Sequence, residues 1–293
     1  MNPTDDLIIN FTPTGMVPQK AMNPAVPISP QEIIEAVNEA VEIGITLVHL
    51  HARQSDGTPS SRRDIYAEIM AGIRKQHPEL VVCLSLSGRQ AGDFLTRSEP
   101  LQLIDDLKPD LGSLTLSSLN FPGQASINLP EMIRDLALKM KECGVLPELE
   151  IFDLGMINYF RYLVERGILE GPFYANILLG NIAGAQADLL HAGLLIRDLP
   201  AGTFWSLGGI GASQLTANTM AILSGGGVRI GLEDNLYWDG KRSRLTTNGE
   251  LLTRIHEMAG IFGRKVMSST EFRKKLNLEP GLGRFGRKVS EVG

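Results

Sequence analysis

A His-x-His pair, His49 and His51, is the group of residues in this sequence best suited to chemistry. If residues 46–52 form a β-strand, both imidazoles point to the same face, with backbones about 6–7 Å apart. Two ligands of one metal ion can span such a distance. The motif alone equally fits two buried core or substrate-binding histidines. Its position directly before the loop of residues 53–59 favours a metal site.

Three glutamates, Glu148, Glu150 and Glu233, could provide a carboxylate ligand beside the histidines. Glu233 is favoured because the last strand of a closed barrel lies next to the first, and the second strand follows. Two histidines and one carboxylate leave coordination positions open for water or substrate, which is typical of catalytic sites. Zinc is the expected ion, and Fe²⁺ or another divalent metal is compatible with these ligands.

Polar residues recur at alternate positions in several β-rich runs, with apolar residues between them. Because alternate strand residues point to opposite faces, the polar residues should face a barrel interior and the apolar ones the helices. Unpaired buried charges cost several kcal/mol per ion, so these groups need partners such as a metal ion and an anionic substrate. The polar faces carry Ser85, Ser87, Ser113, Thr115, Ser117, Glu148, Glu150, Arg229 and Glu233.

The remaining histidines and the cysteines carry no comparable pattern. His77, His191 and His256 fall on predicted helices or a helix end, where surface or capping roles are expected. The scarcity of histidines on later strands argues against the amidohydrolase barrels. Cys83 and Cys143 have neither metal-binding nor redox spacing, which fits a reducing compartment without disulfides.

β-Rich runs alternate with helical patterns along the whole chain, and this alternation predicts an α/β fold, a (β/α)8 TIM barrel. We predict a single domain over residues 1–293, with a C-terminal helical extension from about residue 265. Ser29, Pro30 and Glu32 mark the start of the first helix as a capping box. Residues 12–28 form a long loop over the mouth. The predicted strands are residues 7–13, 46–52, 80–87, 111–117, 146–153, 173–180, 203–211 and 228–234.

Composition narrows the class of protein further. The formal net charge of −5 gives no electrostatic reason to bind nucleic acid. No stretch approaches the roughly 20 apolar residues of a membrane span, and the N-terminus lacks the pattern of a signal peptide. We therefore predict a cytoplasmic protein with neither membrane nor nucleic-acid partners.

Four motifs, in order along nearly the whole chain, resemble those of the β-keto acid cleavage enzyme family. They are N-F-T-P-T-G at 10–15, H-L-H-A-R at 49–53, P-E-L-E-I-F-D at 147–153 and R-I-G-L-E-D-N at 229–235. The resemblance implies a zinc-dependent, Claisen-type exchange in which a β-keto acid and acetyl-CoA give acetoacetate and a new CoA thioester. It also implies a homo-oligomer, a dimer or a tetramer.

The resemblance implies a role for each matching residue. The implied zinc ligands are His49, His51 and Glu233. The implied catalytic set is Ser85, Glu150, Arg229 and Asp234, and the implied substrate contacts are Gly88, Ser113 and Thr115.

Chemistry suggests how the implied catalytic set would work. Arg229 could hold a carboxylate or a developing oxyanion, and Asp234 is the preferred proton-transfer base, with Ser85 and Glu150 completing a hydrogen-bonded relay. The sequence also fits plainer roles for these residues. Asp234 could cap a turn, Glu150 could only support Arg229, and Ser113 and Thr115 could be small filler residues.

One departure from the family pattern bears on the substrate. Aminohexanoate-cleaving members carry a glutamate that pairs with the substrate ammonium, and Val17 stands at the matching position. An apolar group cannot balance that charge, so an amino-substituted keto acid is not the expected substrate. Arg89 could instead receive a second carboxylate, or it could be an exposed loop arginine.

Two other functions fit the residues. One is a metal-dependent hydrolase or lyase that uses metal-bound water without CoA, and the other is a non-catalytic metal- or acid-binding barrel. No Walker-type loop is present, and no G-x-G-x-x-G run joins a predicted strand to a helix, so the residues that would bind the co-substrate acetyl-CoA are not apparent from the sequence.

Overall fold

Eight parallel strands form a closed barrel in the computed structural model, which describes residues 6–89 and 92–288. The strands pair in the order β1-β8-β7-β6-β5-β4-β3-β2, and β2 closes the barrel against β1. The predicted (β/α)8 fold is therefore confirmed, with strands somewhat shorter than the β-rich runs. They are β1 (Ile9–Phe11), β2 (Leu47–Leu50), β3 (Val81–Leu84), β4 (Leu111–Thr115), β5 (Leu146–Ile151), β6 (Phe173–Leu179), β7 (Thr203–Gly209) and β8 (Gly227–Ile230).

Most of the helices surround the barrel and bury an apolar face against it, whereas the short helix Phe94–Ser98 buries Arg97 and Ser98. Helix α1 begins as predicted: the Ser29 hydroxyl accepts from the Glu32 amide, and the Glu32 carboxylate accepts from the Ser29 amide. The helices are α1 (Pro30–Ile43), α2 (Arg63–Gln76), α3 (Phe94–Ser98), α4 (Pro130–Cys143), α5 (Leu154–Glu165), α6 (Leu189–Asp198), α7 (Gln214–Leu223), α8 (Asn248–Ile261) and α9 (Ser269–Lys275). Within the described ranges, none is long and apolar enough to cross a bilayer.

The barrel interior has two levels of different character. Its lower level is apolar and packs onto Phe272 and Leu276, which close the barrel from below. The expectation that the polar strand faces make up the interior holds only for the upper level, at the C-terminal strand ends. The lower level needs no polar groups, because a hydrophobic plug from the C-terminal segment fills it. The residues that line this level include Ile8, Leu47, Val81, Leu111 and Leu146.

A buried ion cluster ties the C-terminal segment to the barrel bottom. The Asp110 carboxylate, fully buried, accepts from Arg74 at 2.8 Å and from two nitrogens of Arg273 at 2.7 Å each. It also accepts from the amides of Val82 and Gly286 at 3.0 Å. Both carboxylate oxygens are thereby paired, so helix α9 is held by charge as well as by apolar packing.

Two short hairpins rise from the opposite end of the barrel. The first, Ala52–Arg53 with Pro59–Ser60, follows β2, and the second, Leu119–Phe121 with Gln124–Ser126, follows β4. Together with the long loop after β1, they build the wall of the mouth, where active sites of this fold lie.

Candidate active site

A cavity of about 720 Å³ opens at the C-terminal ends of the strands. The loop after β1 contributes Met16 and Val17 to its lining, and the hairpin after β4 contributes Phe121. Polar side chains from β4, β5 and β8, and from the residues directly after β2 and β3, line its floor. The cavity size suits a small-molecule ligand, and the polar floor supplies groups that could orient one.

His49, His51 and Glu233 bring three ligand atoms together at the floor. The Nε2 atoms of His49 and His51 are 3.2 Å apart, and His51 Nε2 lies 3.1 Å from Glu233 Oε1. All three donor atoms lie within 4.8 Å of one another. Gly15, at a φ of +66°, allows the loop after β1 to pass directly against the Glu233 side chain, where a Cβ would clash.

Glu148 sets the orientation of the His49 ring. Its carboxylate accepts from His49 Nδ1, and Asn10 Nδ2 donates to its other oxygen at 2.6 Å. Burial would raise the pKa of Glu148, but the charges of His49 and Arg229 outweigh it and hold the pKa at about 2. With the proton on Nδ1, the lone pair of Nε2 faces His51 and Glu233.

The donor set fits a divalent metal. Two imidazole Nε2 atoms face each other and a carboxylate. Burial lowers the pKa of His49, but the charges of Glu148 and Glu233 outweigh it and raise that pKa, so this position favours a positive charge. Glu233 Oε2 is buried without a hydrogen-bond partner in the described part of the chain. Burial lowers the pKa of His51 despite the opposing charge of Glu233, which favours its neutral, ligating form. A cation at this point would pair with all three donors at once.

Arg229 stands between the triad and two further carboxylates. Its Nε donates to Asp234 Oδ2 at 2.9 Å and its Nη2 to Glu233 Oε1 at 2.7 Å, and its Nη1 lies 3.8 Å from Glu150 Oε1. Burial lowers the pKa of Arg229, but the charges of these carboxylates outweigh burial and raise that pKa. Burial also raises the pKa of Asp234. The charge of Arg229 lowers this pKa and the charge of Glu233 raises it, and the net effect is a pKa above the ordinary value. A carboxyl group with a raised pKa is suited to carrying a proton.

The other residues of the implied catalytic set line the same cavity but do not form the predicted relay. Ser85 Oγ accepts from the Ser87 amide at 3.4 Å and contacts neither Glu150 nor Asp234. Glu150 instead accepts from Thr115 Oγ1 at 2.6 Å. The relay is not formed, because the Arg229 guanidinium occupies the space between Glu150 and Asp234.

The positions expected to contact substrate divide into two groups. Thr115 lines the cavity, and so does Val17, which stands at the position of the substrate-binding glutamate of other members. Ser113 lies behind its wall, where its hydroxyl accepts from the Leu86 amide at 3.0 Å. Gly88 packs against Arg97, which a Cβ at this position would displace. Neither Ser113 nor Gly88 is among the cavity-lining residues of the described chain, so both support the wall.

His77, His191 and His256 lie away from the cavity, as expected. His77 ends α2 and pairs with Asn38, His191 pairs with Asp188 at the start of α6, and His256 on α8 contacts the Gly44 carbonyl.

Sequence patterns did not reveal two features of the site. The first is the orienting role of Glu148, which the sequence presented only as a competing ligand. The available signal was that Glu148 precedes Glu150 by two residues and therefore points to the same inner face of β5, deeper in the barrel. The second is Phe121, whose ring faces Arg89 across the cavity wall, with Arg89 Cζ 3.4 Å from the ring centroid. Only the tertiary fold brings these two loops together.

A closed parallel barrel with two imidazoles, four carboxylates and an arginine at its C-terminal mouth defines a (β/α)8-barrel enzyme. The model of the β-keto acid cleavage enzyme family matches residues 6–278. The chain belongs to this family, which confirms the resemblance seen in its motifs.

Curated relatives cover almost the whole chain. The 3-oxoadipate:acetyl-CoA acetyltransferase of Cupriavidus necator is 36% identical over 279 residues, 94% of this chain and 96% of that protein. The 3-keto-5-aminohexanoate cleavage enzyme of Fusobacterium nucleatum is 32% identical over 277 residues, 94% of this chain and 99% of that protein. The 3-dehydrocarnitine:acetyl-CoA trimethylamine transferase of Rhizobium meliloti is 29% identical, covering 93% and 97%.

Among solved structures, the fold matches a ternary complex of ObcA with a C4-CoA adduct and oxalate. The TM-score is 0.77 at 20% identity, and the match covers 87% of this chain and 68% of that chain. At this identity the likeness concerns the fold alone.

Proposed function

We propose that this protein catalyses a zinc-dependent exchange between a β-keto acid and acetyl-CoA, giving acetoacetate and the CoA thioester of the remaining acyl part. The observation that carries the proposal is the convergence of His49, His51 and Glu233 beside Arg229 and Asp234 in one cavity. The names of three relatives include acetyl-CoA as a reactant, which supports the same reaction type.

The exchange balances without an oxidant or reductant. The acetyl group moves from sulfur to C2 of the β-keto acid, and the acyl group on C2 moves to sulfur. One carbon–carbon bond forms and one breaks, and the proton removed from C2 is returned to that carbon. A bound metal ion would supply Lewis acidity toward the keto oxygen, which lowers the cost of negative charge there.

Side chains of this protein would handle the proton and the charge. Asp234, with its raised pKa, would take the C2 proton and later return it. Arg229, held by Asp234 and Glu233, would orient Asp234 and offer a fixed positive charge to a developing oxyanion. Ser85 lines the cavity, and because its hydroxyl accepts from the Ser87 amide and donates to no described residue, it would donate to a substrate oxygen.

Val17 limits the substrate in this proposal. It stands half exposed in the cavity wall between Met16 and Pro18, so that stretch of wall offers no negative charge to a substrate ammonium. An amino-substituted β-keto acid is therefore disfavoured. Faster turnover of 3-keto-5-aminohexanoate than of neutral or acidic β-keto acids would contradict this.

A coupled assay with a panel of β-keto acids tests the reaction. We expect acetoacetate and a new thioester to form in equal amounts, only when acetyl-CoA is present. Protein stripped with a chelator should lose activity and recover it with Zn²⁺, and Fe²⁺ serves as the comparison metal. β-Keto acid loss that is independent of acetyl-CoA would indicate the hydrolase or lyase alternative. Full activity in metal-free protein would overturn the metal site, and a metal-loaded protein without turnover would indicate a binding barrel.

Cytoplasmic location, assembly as a dimer or tetramer and the single-domain organisation stay predictions from the sequence and the family resemblance.

A further inference from the structure

Arg89 places a cation in the cavity, and no residue that the structure describes forms an ion pair with it. It follows the wall residues Ser87 and Gly88, and its side chain lines the cavity together with His51 and Glu233. Among residues 6–89 and 92–288, no carboxylate lies within ion-pairing distance of its guanidinium, and its one hydrogen bond is from its backbone amide to Ser87 Oγ.

Phe121 holds the guanidinium of Arg89 in a defined plane. Arg89 Cζ stands 3.4 Å from the centroid of the Phe121 ring, so one guanidinium face is covered by the aromatic face. Stacking leaves the N–H edge of a guanidinium available, and this edge is the part that binds carboxylates in bidentate fashion. The arginine is thus oriented before any ligand arrives.

The cost of burying the Arg89 charge also favours binding of an anion at this position. Burial lowers the pKa of Arg89, and the more distant charges of Glu233, Glu150 and Asp234 only partly oppose this effect. Those three carboxylates already surround Arg229. A desolvated cation that lacks a direct partner is costly, and a ligand carboxylate would restore the lost interactions.

On the basis of the function proposed above, we propose that Arg89, stacked on Phe121, binds a second carboxylate at the far end of the substrate's acyl part. The preferred substrate class is then a β-keto dicarboxylic acid, whose keto group lies at the triad while its distal carboxylate lies at Arg89. Val17 agrees with this assignment, since an apolar wall residue neither repels nor competes for that carboxylate. The role of Arg89 is substrate specificity.

A matched pair of substrates tests the assignment. 3-Oxohexanedioate and 3-oxohexanoate have the same chain length and differ by the distal carboxylate against a methyl group. Wild-type protein should have a kcat/KM for the diacid about 10–100-fold above that for the monoacid, the gain expected of charge-assisted bidentate pairing. Arg89→Met should abolish this preference, mainly through the KM of the diacid, and Arg89→Lys should retain part of it.

Arg242 provides the matched control variant. It also lines the cavity, but on the exposed rim, and it forms no ion pair with another described residue. Arg242→Met removes the same charge from the mouth and should leave the ratio between the two substrates unchanged. An equal loss of preference in Arg242→Met would show a general charge effect and overturn the assignment to Arg89.

Three further outcomes would overturn the proposal, and each would indicate a different role of Arg89 or a different substrate class. If Arg89→Met lowers kcat/KM equally for both substrates, Arg89 binds the carboxylate that all β-keto acids share. If it raises the KM of acetyl-CoA and leaves the ratio unchanged, Arg89 binds a CoA phosphate. If wild-type protein prefers the monoacid, the substrate class is wrong. Absence of any acetyl-CoA-dependent turnover would instead contradict the proposed function itself.

Discussion

Two buried ion clusters lie at opposite ends of the barrel, and they are built on opposite plans. At the bottom, one carboxylate, Asp110, is paired with two guanidiniums, and backbone amides complete its hydrogen bonds. At the mouth, one guanidinium, Arg229, is surrounded by Glu150, Glu233 and Asp234.

The two clusters differ in where hydrogen bonds are missing. At the bottom both oxygens of Asp110 are paired, and Arg74 Nε, which does not line the cavity, is the atom buried without a hydrogen bond among the described residues. At the mouth, Arg229 Nη1 and Glu233 Oε2 are both buried without hydrogen bonds in the described part of the chain, and both residues line the cavity. A carboxylate with all its hydrogen bonds made stabilises one packing arrangement, whereas unpaired atoms at a cavity are where a ligand can complete the set. We therefore assign stability to the bottom cluster and ligand binding to the mouth cluster.

The largest expected effect comes from removing a triad imidazole. His51→Ala takes away one of three converging donors, and we expect activity to fall by more than the roughly 10–100-fold typical of losing a group behind a metal ligand. Zinc content, measured by elemental analysis, should fall as well. His191→Ala, at a half-exposed helix histidine away from the cavity, is the matched control and should keep both zinc and activity. If His51→Ala kept its zinc and its turnover, the mouth cluster would not be the ligand-binding site.

Asp110→Asn should cause the largest loss of stability. Removing this charge leaves Arg74 and Arg273 buried without a carboxylate, which costs about 3–5 kcal/mol in free energy of unfolding. Denaturant unfolding at neutral pH measures it. Asp135→Asn, which removes an exposed partner of Arg134, should change stability by less than about 1 kcal/mol. A loss in Asp110→Asn no greater than in this control would contradict the stabilising role of the bottom cluster.

The same cluster predicts a pH dependence. Burial would raise the pKa of Asp110, but Arg74 and Arg273 outweigh it and hold the pKa below its ordinary value of 3.8. Because the folded-state pKa is lowered, its stabilisation is complete above the unfolded-state pKa. It is lost as the pH falls through the folded-state pKa. Acid titration of unfolding should show this loss in wild-type protein, and Asp110→Asn should lack that part of the slope.

An intermediate effect is expected at Glu148, which belongs to the mouth without lining the cavity. Glu148→Gln keeps an acceptor for His49 Nδ1 but removes the charge that makes the imidazole more basic, so zinc affinity should fall about 10–100-fold. Competition with a chelator measures that affinity. Glu142→Gln on the exposed face of α4 is the control. Unchanged zinc affinity would show that the contact with His49 is purely structural.

The smallest expected effect is at Phe285, beneath the bottom cluster. Its ring lies 3.8 Å from Arg74 Cζ, so Phe285→Leu loses a cation–π contact and some aromatic packing, about 1–2 kcal/mol of stability. Thermal unfolding should show the loss, with turnover unchanged at a temperature where the variant is folded. Phe262→Leu, at a half-exposed ring, should be close to neutral. A fall in turnover with no change in stability would mean that the two ends of the barrel are coupled.

The sequence was informative wherever a property depends on local pattern. Strand parity placed His49 and His51 on one face and separated Glu148 and Glu150 from their apolar neighbours, so the polar upper interior was predictable. The capping box at Ser29 and the order of the eight strands followed in the same way. These features depend on spacing along the chain, and no distant contact is needed to recognise them.

Contacts between distant segments were decided by tertiary structure. Parity could not show that Glu148 turns to His49 and that Arg229 displaces the relay expected between Glu150 and Asp234. The same holds for the closing of the barrel bottom on Asp110 by Arg273 and for the stacking of Phe121 on Arg89. The amino-acid sequence by itself determined which side chains face inward, because the strand repeat is local. Only the closed barrel decided which of them meet, because each partner comes from a strand or loop far away along the chain.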